Sequence, residues 1–317
     1  MAIANAANYR FSGHETFPCR YGWLPKAARA IDATPELFIN EDDAMISLGI
    51  GKNMVRALRF WVETTGIAQG AEGRGLTVTD FGRALLLGDK ALDPYIEDLQ
   101  TLWLIHWQLV TGPVPPLFAW DFLFNRWHRP KLVPSEILHE FTQESLQQSK
   151  QLSPVTLKQH FDVFIHTYAP TRGSKGSIVE DSLGSPLTEL RLIKSEGPAA
   201  TSALEGKTEP VYSFCREKKV EIGAQLFLYC IAEFWQQRHP DEETISVDQI
   251  AYGHGSPGQV FKMPDNEIRD RLTEIETHSD GRLVFQESLQ TQQVVRRVPI
   301  KQITSLAAIY RNGGGGL

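Results

Sequence analysis

The side chains best suited to chemistry lie near the N-terminus, in a segment that mixes ionisable residues with aromatic residues and prolines. Residues 10–26 read RFSGHETFPCRYGWLPK. Histidine can act as an acid or a base near neutral pH, and arginine can offset the negative charge of a phosphorane-like transition state. We therefore predict that His14, Glu15 and Arg20 are catalytic residues. The residue types also allow a rigid loop in which His14 and Glu15 form hydrogen bonds to backbone groups and have no catalytic role.

A second candidate is a pair of short helices separated by a glycine turn. The sequence predicts a first helix over about 42–48, a Gly-Ile-Gly turn, and a second helix that starts at Lys52. At 100° per residue, Lys52, Arg56 and Arg59 fall on one arc of the second helix, and its apolar residues fall on another. A helix with one apolar and one basic stripe after a glycine turn is what docking in the major groove of DNA requires.

The residues that follow this helix pair fit the wing of a winged helix. Residues 70–75 form a predicted hairpin tip, residues 76–78 a returning strand, and residues 79–87 a third helix. This order predicts an N-terminal winged helix-turn-helix. Its predicted DNA-binding residues are Lys52, Asn53, Arg56, Arg59 and Arg74. The alternative is a three-helix packing unit with a solvated basic face.

The C-terminal part repeats a similar order of elements. Short helices are predicted over 246–251 and 265–278, followed by a hairpin with strands over 281–286 and 293–298. Residues 288–317 contain four basic residues and no Asp or Glu. We therefore predict a winged-helix-like module whose wing contacts DNA through Arg296 and Arg297. An interaction module would give the same pattern, and that alternative stays open.

Between these two parts the pattern is helical. Asp93-Pro94 resembles a cap followed by proline and predicts a helix start there, with further helices over 119–127, 135–150 and 153–168. Residues 195–210 are predicted to be an exposed loop. The predicted fold class is mainly α (α+β with small β wings). The predicted domains are 1–92 (winged helix with a leader loop), 93–172 (helical), 177–311 (winged-helix-like) and a flexible tail over 312–317.

Several motifs resemble one bacterial protein family. FSGHETFP at 11–18 and RYGWL at 20–24 are similar to the opening of the SspB-type DNA nickases of Ssp DNA phosphorothioation systems, a family formerly of unknown function. Shorter matches are EDS at 180–182, SPLTEL at 185–190, YSF at 212–214 and SPGQVFK at 256–262. The resemblance implies an endonuclease that cuts one DNA strand before sulfur insertion, in phage defence. It implies partners such as a cysteine desulfurase and other sulfur-transfer proteins.

Composition limits the classes of protein that remain. The chain has 317 residues, of which 42% are hydrophobic, and a formal net charge of -6. It can therefore bury a core, and a wholly basic nucleic-acid coat is excluded while a local basic face is not. The three cysteines form no C-x-x-C pair, which argues against a disulfide framework or a zinc ribbon. No apolar run reaches the ~18–20 residues that spanning a membrane requires, so a cytoplasmic location is predicted.

The basic helix predicts binding to double-stranded DNA, and the family resemblance implies that the protein is an endonuclease that nicks it. Phosphodiester hydrolysis often uses divalent metals, so we predict Mg²⁺ or Mn²⁺ as a cofactor without assigning ligands. The alternative is a non-catalytic winged-helix regulator or adaptor that assembles sulfur-transfer enzymes on DNA. It would use the same basic face and leave DNA topology unchanged.

Overall fold

The computed structural model describes residues 9–71, 73, 75–112, 115–147, 152–169, 184–200, 208–288 and 290–311. The chain forms two compact units. The first comprises Met1–Glu97, Gln108–Leu123 and Trp127–Cys215, and the second comprises Asp98–Trp107, Phe124–Arg126 and Arg216–Leu317. The division into domains 1–92, 93–172 and 177–311 differs from these two units and stays a prediction.

The first unit begins with a helical group that carries a two-stranded antiparallel sheet. Its elements are α1 (Trp23–Ala33), α2 (Glu41–Leu48), α3 (Lys52–Thr64), β1 (Ala68–Gly70), β2 (Leu76–Val78) and α4 (Asp80–Leu86). The side chain of Asn40 caps α2 by accepting a hydrogen bond from the Asp42 N–H. Gly49 ends α2 with a φ of 62°, a left-handed conformation that glycine adopts at little cost.

The rest of the first unit is a helical layer with a three-stranded antiparallel sheet in the order β3-β5-β4. Its elements are α6 (Phe118–Asp121), β3 (Lys131–Leu132), α7 (Pro134–Gln147), α8 (Pro154–Tyr168), a 3₁₀ helix (Pro186–Leu190), β4 (Ile193–Ala200) and β5 (Thr208–Phe214). A π-helical turn (Phe122–Arg126) follows α6, and α5 (Leu99–Thr111) belongs to the second unit up to Trp107. The core is aromatic: Trp61 packs edge-on against Trp120, whose indole N–H donates to the Tyr168 hydroxyl at 3.0 Å.

The second unit combines a buried helix with a three-stranded antiparallel sheet in the order β6-β8-β7. Its elements are α9 (Ala224–Arg238), β6 (Thr244–Ser246), α10 (Val247–Tyr252), α11 (Pro257–Phe261), α12 (Asp265–Thr273), α13 (Ile275–His278), β7 (Leu283–Glu287), β8 (Gln292–Arg296) and two 3₁₀ helices (Ile300–Gln302, Leu306–Ala308). A capping box joins Ser246 and Gln249 at the start of α10, which fixes where β6 turns into the helix.

The coarse fold prediction is confirmed, because the chain is a mixed α+β structure in which helices predominate. The finer winged-helix architecture stays a prediction, although helix, glycine turn, helix and hairpin follow one another in the predicted order. Within the described residues, no helix is long and apolar enough to cross a membrane.

Two local predictions are wrong. Residues 195–200 and 208–210 are not loop, because they belong to β4 and β5, which pair from Ile193↔Phe214 to Ala200↔Thr208. The helix predicted to start at Asp93-Pro94 begins instead at Leu99. Asp93 accepts a hydrogen bond from the Glu97 N–H, and Ile96 has a φ of 59°, so the chain makes a turn before Asp98 caps the helix.

Candidate functional site

The exposed end of α3 is the feature most suited to holding an anion. Gly51 precedes the helix and provides no side-chain cap. The first turn of the helix contains no acidic residue. The first backbone hydrogen bond of the helix runs from the Val55 N–H to the Gly51 carbonyl, so the preceding N–H groups lack a helical partner. These N–H groups and the helix dipole favour a negative group at this end.

The predicted cations of α3 lie on its solvent face. The side chains of Lys52, Arg56 and Arg59 are 54%, 43% and 41% exposed. Asn53 is also exposed, whereas the apolar residues of the helix are buried on the opposite side. The two stripes expected from the periodicity are therefore present. Contact between DNA and the basic stripe stays a prediction.

One carboxylate lies between two of these cations. Glu41, the first residue of α2, accepts hydrogen bonds from Arg56 Nε at 2.6 Å and Arg56 Nη2 at 3.0 Å, and its Oε2 lies 3.1 Å from Lys52 Nζ. The hydrogen bonds from Arg56 and Lys52 lower the pKa of Glu41 to about 2. The pair of cations therefore presents a net charge of about +1 while Glu41 is bound.

Arg59 belongs to a second group of charges. Its guanidinium lies 3.2 Å from Glu63 and donates to the Phe38 carbonyl at 3.4 Å. Glu63 also pairs with Arg10, at 3.6 Å, and the Arg10 guanidinium lies 4.3 Å from the centre of the Phe60 ring. The basic stripe thus continues from α3 onto the N-terminal segment through Arg10.

His14 is buried in a hydrogen-bonded chain with a second histidine. Its exposed fraction is 2%, and its Nε2 lies 3.0 Å from Nδ1 of His160, which is 0% exposed. His160 Nε2 accepts from the Ala119 N–H, so the proton of a neutral His160 ring is on Nδ1 and points to His14. His14 then donates from Nδ1 to the Glu15 carbonyl at 3.0 Å. Both rings are satisfied as neutral tautomers.

Burial keeps this pair uncharged. It lowers the pKa of His14 to about 4, an effect that the hydrogen bond to the Glu15 carbonyl opposes. Burial also lowers the pKa of His160 well below its ordinary value, and the neighbouring His14 adds to that shift. The His14 and Phe60 rings pack edge to face, with ring centres 5.5 Å apart, so the histidine pair lies against α3. Protonation of His14 would therefore disturb the packing of the helix that carries the cations.

The turn around His14 holds Glu15 in an unusual backbone conformation. Glu15 has a φ of 55°, and Gly13 has a φ of 113°. A Cβ at Gly13 would lie 2.8 Å from Cδ2 of Phe60, so the N-terminal segment approaches α3 closely at this position. The pKa of Arg56 is raised first by its hydrogen bonds to Glu41, and also by the charge of Glu15. The structure therefore brings the His14-Glu15 turn and the α3 cations to one region.

Arg20 has different neighbours. Its guanidinium lies 5.3 Å from the centre of the Phe17 ring and 5.8 Å from that of Trp23. It also lies against Gly184, where a Cβ would come within 3.4 Å of Arg20 Cγ. The three residues predicted to be catalytic are thus divided: His14 and Glu15 contact or approach α3, and Arg20 lies among aromatic rings and Gly184.

The predicted DNA contacts of the second unit lie at the base of its hairpin. Arg296, at the end of β8, donates to the carbonyls of Glu242 at 3.1 Å and Val298 at 3.4 Å. Arg297 is exposed and pairs with Glu276 at 3.2 Å. The described residues at the hairpin tip, Ser288, Gln290 and Thr291, carry no positive charge. Arg74 of the first unit lies outside the described residues.

Metal ligands could not be assigned from the geometry. In the part of the chain that the structure describes, no three His, Cys, Asp or Glu side chains are grouped closely enough to hold a metal ion. The requirement for Mg²⁺ or Mn²⁺ therefore stays a prediction.

Sequence reasoning missed three residues of this region. Glu41 lies 15 residues before Arg56, and a carboxylate in the first turn of α2 was the available signal for it. Arg10 carried no periodic signal, because it precedes the first helix. His160 lies 146 residues from His14 and gave no signal, since only the tertiary fold brings the rings together.

Comparison with known proteins agrees with the family expected from the motifs. Residues 11–309 match the family described as "Protein of unknown function (DUF4007)". No protein of the curated set matches the chain. Two solved structures are similar: "SspB crystal structure", with 23% identity and a TM-score of 0.81 over 97% of this chain and 89% of the other, and "Magnesium ion-bound SspB crystal structure", with 23% identity and a TM-score of 0.80 over 95% and 88%. The similarity to SspB at this identity shows a shared fold, and the family match shows that the chain belongs to the DUF4007 family.

Proposed function

We propose that this chain binds double-stranded DNA through the exposed face of α3 and nicks it during DNA phosphorothioate modification in phage defence. The observation that carries the proposal is the combination of an uncapped helix N-terminus with three solvent-exposed cations, Lys52, Arg56 and Arg59. Backbone N–H groups at a helix start and adjacent cations are the usual ligands of a DNA phosphate.

The expected contacts are mainly with the DNA backbone. Each phosphate that a cation neutralises steepens the dependence of log affinity on log salt by ~0.9. A phosphate would take the place of Glu41 beside Lys52 and Arg56, so one carboxylate competes with the DNA. Asn53, which is exposed at the helix start, is the residue placed to reach a base edge, a contact worth ~1–3 kcal/mol when it is bidentate.

The proposed reaction is hydrolysis of one phosphodiester bond. Water forms a bond to phosphorus, one ester P–O bond breaks, and the strand is left with a hydroxyl end and a phosphate monoester end. Glu15 is our first candidate for the acid or base, because the turn that carries it packs against Phe60 of α3. We assign His14 to positioning the Glu15 turn, since both of its ring nitrogens are bonded, and Arg20 to offsetting phosphate charge.

The link to phosphorothioate modification rests on the motif resemblance, and the fold shared with SspB supports it. A cysteine desulfurase and other sulfur-transfer proteins are the proposed partners. The metal in the structure described as magnesium-bound SspB belongs to that protein; for this chain Mg²⁺ or Mn²⁺ is a proposed requirement.

A second candidate function is that of a non-catalytic DNA-binding adaptor. One observation favours it: His14 cannot exchange a proton without breaking a bond to Glu15 or to His160. Such an adaptor would keep the DNA-binding face and leave the DNA intact.

Relaxation of supercoiled plasmid separates the two functions. The full chain is incubated with plasmid and Mg²⁺, Mn²⁺ or EDTA, alongside Glu15→Gln and the exposed control Glu36→Gln. A nickase gives open circles with metal, and we expect Glu15→Gln to slow this by about 100-fold or more, as loss of an acid–base group does. Plasmid that stays supercoiled under every condition, while it is still bound, would establish the adaptor.

A further inference from the structure

The second unit contains a polar recess that the proposed DNA-binding face does not include. Its volume is about 480 Å³, and it lies between the turn that follows α13 and the two 3₁₀ helices after β8. Three of its lining residues are basic, namely Arg282, Lys301 and Arg311. Amide and hydroxyl groups of Gln225, Thr304 and Ser305 complete its polar wall.

The charge of this recess is strongly one-sided. Asp280 is its single carboxylate among the described lining residues; it is 79% exposed and lies 3.7 Å from Arg282. Lys301 and Arg311 are exposed and form no ion pair within the described part of the chain. Three cations against one carboxylate leave a formal charge of +2. A recess of this kind concentrates anions, because its cations are not offset by nearby acids.

Several contacts hold the wall of the recess in place. Arg282 Nη1 donates to the Ile303 carbonyl at 3.2 Å, and Arg282 Nη2 lies 3.7 Å from Asp280, so the guanidinium is held at the recess. Gln225 donates to the His278 carbonyl at 2.9 Å and accepts from the Thr304 hydroxyl at 3.2 Å. A guanidinium held in place beside exposed cations can pair with a phosphate through charge-assisted hydrogen bonds.

Arg297 lies near the recess, and Glu276 offsets its charge. Arg297 Nη1 would lie 3.9 Å from a Cβ at Gly281, next to Arg282 in the chain, and Arg297 pairs with Glu276. None of the described lining residues is aromatic, so the recess offers no surface on which a base could stack. Its chemistry therefore matches the phosphate of a nucleic acid better than the base.

We infer that the recess of Arg282, Lys301 and Arg311 binds backbone phosphates of DNA, as a second contact besides the face of α3. The inference rests on the proposed function for its choice of DNA as the source of phosphate. It differs from the sequence-based prediction, which placed the DNA contact of this unit at Arg296 and Arg297. The Arg296 guanidinium donates hydrogen bonds to two backbone carbonyls, whereas Lys301 and Arg311 form no ion pair with a described acidic residue.

The test compares two variants with the same change in charge. Lys301→Gln/Arg311→Gln removes two cations from the recess, and Lys218→Gln/Arg269→Gln removes two exposed cations that pair with Asp270 and Glu287 elsewhere in the unit. Fluorescence anisotropy with a duplex oligonucleotide is measured across a salt series. We expect the recess variant to lower the slope of log affinity against log salt by about 1.8, at ~0.9 per phosphate contact, and the control to keep it. Equal slopes for the recess variant and the wild type would overturn the inference.

A third variant makes failure of this inference distinguishable from failure of the proposed function. If Lys52→Gln/Arg56→Gln/Arg59→Gln binds DNA like the wild type while the recess variant is weakened, the face of α3 is wrong and the recess stands. If the wild type binds no duplex, titration with inorganic phosphate, followed by ³¹P NMR, tests the recess alone. Phosphate binding equal in the wild type and the recess variant would overturn the assignment of the recess as a phosphate site.

Discussion

The carboxylate of Glu41 accepts two hydrogen bonds from the guanidinium of Arg56, at 2.6 and 3.0 Å, and so ties the start of α2 to the exposed face of α3. Lys52 lies 3.1 Å from the same carboxylate. Two of the three cations proposed to bind DNA are therefore partly neutralised from within the molecule. A phosphate that binds there must compete with Glu41. Removing Glu41 should therefore strengthen DNA binding, and removing the cations should weaken it.

Removal of this competitor is expected to tighten DNA binding. Glu41→Gln leaves Lys52 and Arg56 free to meet a phosphate and removes one negative charge near it. A unit charge at 4 Å in water contributes about 1 kcal/mol, so duplex affinity should rise about fivefold at low salt. Fluorescence anisotropy with a duplex oligonucleotide measures the change.

Asp42→Asn is the matched control for Glu41→Gln, since it removes a charge from the same helical turn without freeing a cation. Its effect on affinity should be distinctly smaller. Equal gains for the two variants would mean that only the net charge matters and that the ion pair has no special role.

The two buried histidines are expected to act as one unit in stability. His14→Leu leaves the Nδ1–H of His160 buried without an acceptor, which costs about 1–3 kcal/mol of unfolding free energy. His160→Leu has a similar cost, because His14 Nε2 loses its donor and the Ala119 N–H its acceptor. The double variant should be less destabilised than the sum of the single variants, by about 0.5–3 kcal/mol. Urea unfolding of the four proteins measures this coupling, and strict additivity would contradict the hydrogen-bonded pair.

The same pair gives a definite pH dependence. The pKa of His14 in the folded protein is about 4, below its ordinary value, so the unfolded chain binds more protons between these two values. Stability should therefore be fully present near neutral pH and fall as the pH drops from about 6.5 to about 4. Thermal melts across this interval measure the slope, which should be shallower for His14→Leu. A variant as acid-sensitive as the wild type would show that His14 is not buried in its neutral form.

Close approach of the N-terminal segment to α3 predicts a sensitive glycine. Gly13→Ala places a Cβ 2.8 Å from Phe60 at a φ of 113°, so it should destabilise the protein by about 1–3 kcal/mol. Gly70→Ala, in open space at the end of β1, serves as the control and should cost much less. If the two variants have the same melting temperature, the N-terminal segment does not pack against α3 as described.

Most elements could be predicted because local signals mark them. The Gly49 turn, the helix predicted over 153–168 and the two strands of the β7–β8 hairpin are found close to their predicted places. The loop predicted over 195–210 failed because Gly197 and Pro198 lower strand propensity, while pairing of β4 with β5 overrides that preference. Local propensity cannot report such long-range pairing.

The candidate site was less predictable than the fold. Periodicity alone placed Lys52, Arg56 and Arg59 on an exposed stripe, as the structure describes them. The same reasoning treated His14 as an available acid or base, because nothing local indicates that His160 binds its ring. A histidine in a loop can be assigned as reactive or structural only when its tertiary partners are known.

The most direct test of the DNA-binding face is the salt dependence of duplex binding by the wild type and by Lys52→Gln/Arg56→Gln/Arg59→Gln. Lys158→Gln/Lys218→Gln/Arg269→Gln loses the same charge from exposed ion pairs elsewhere and is the control. We expect the α3 variant to lower the slope of log affinity against log salt by about 2 to 3, from three contacts at ~0.9 each, while the control keeps the wild-type slope. A wild-type slope and affinity in the α3 variant, or no duplex binding by the wild type at low salt, would contradict it.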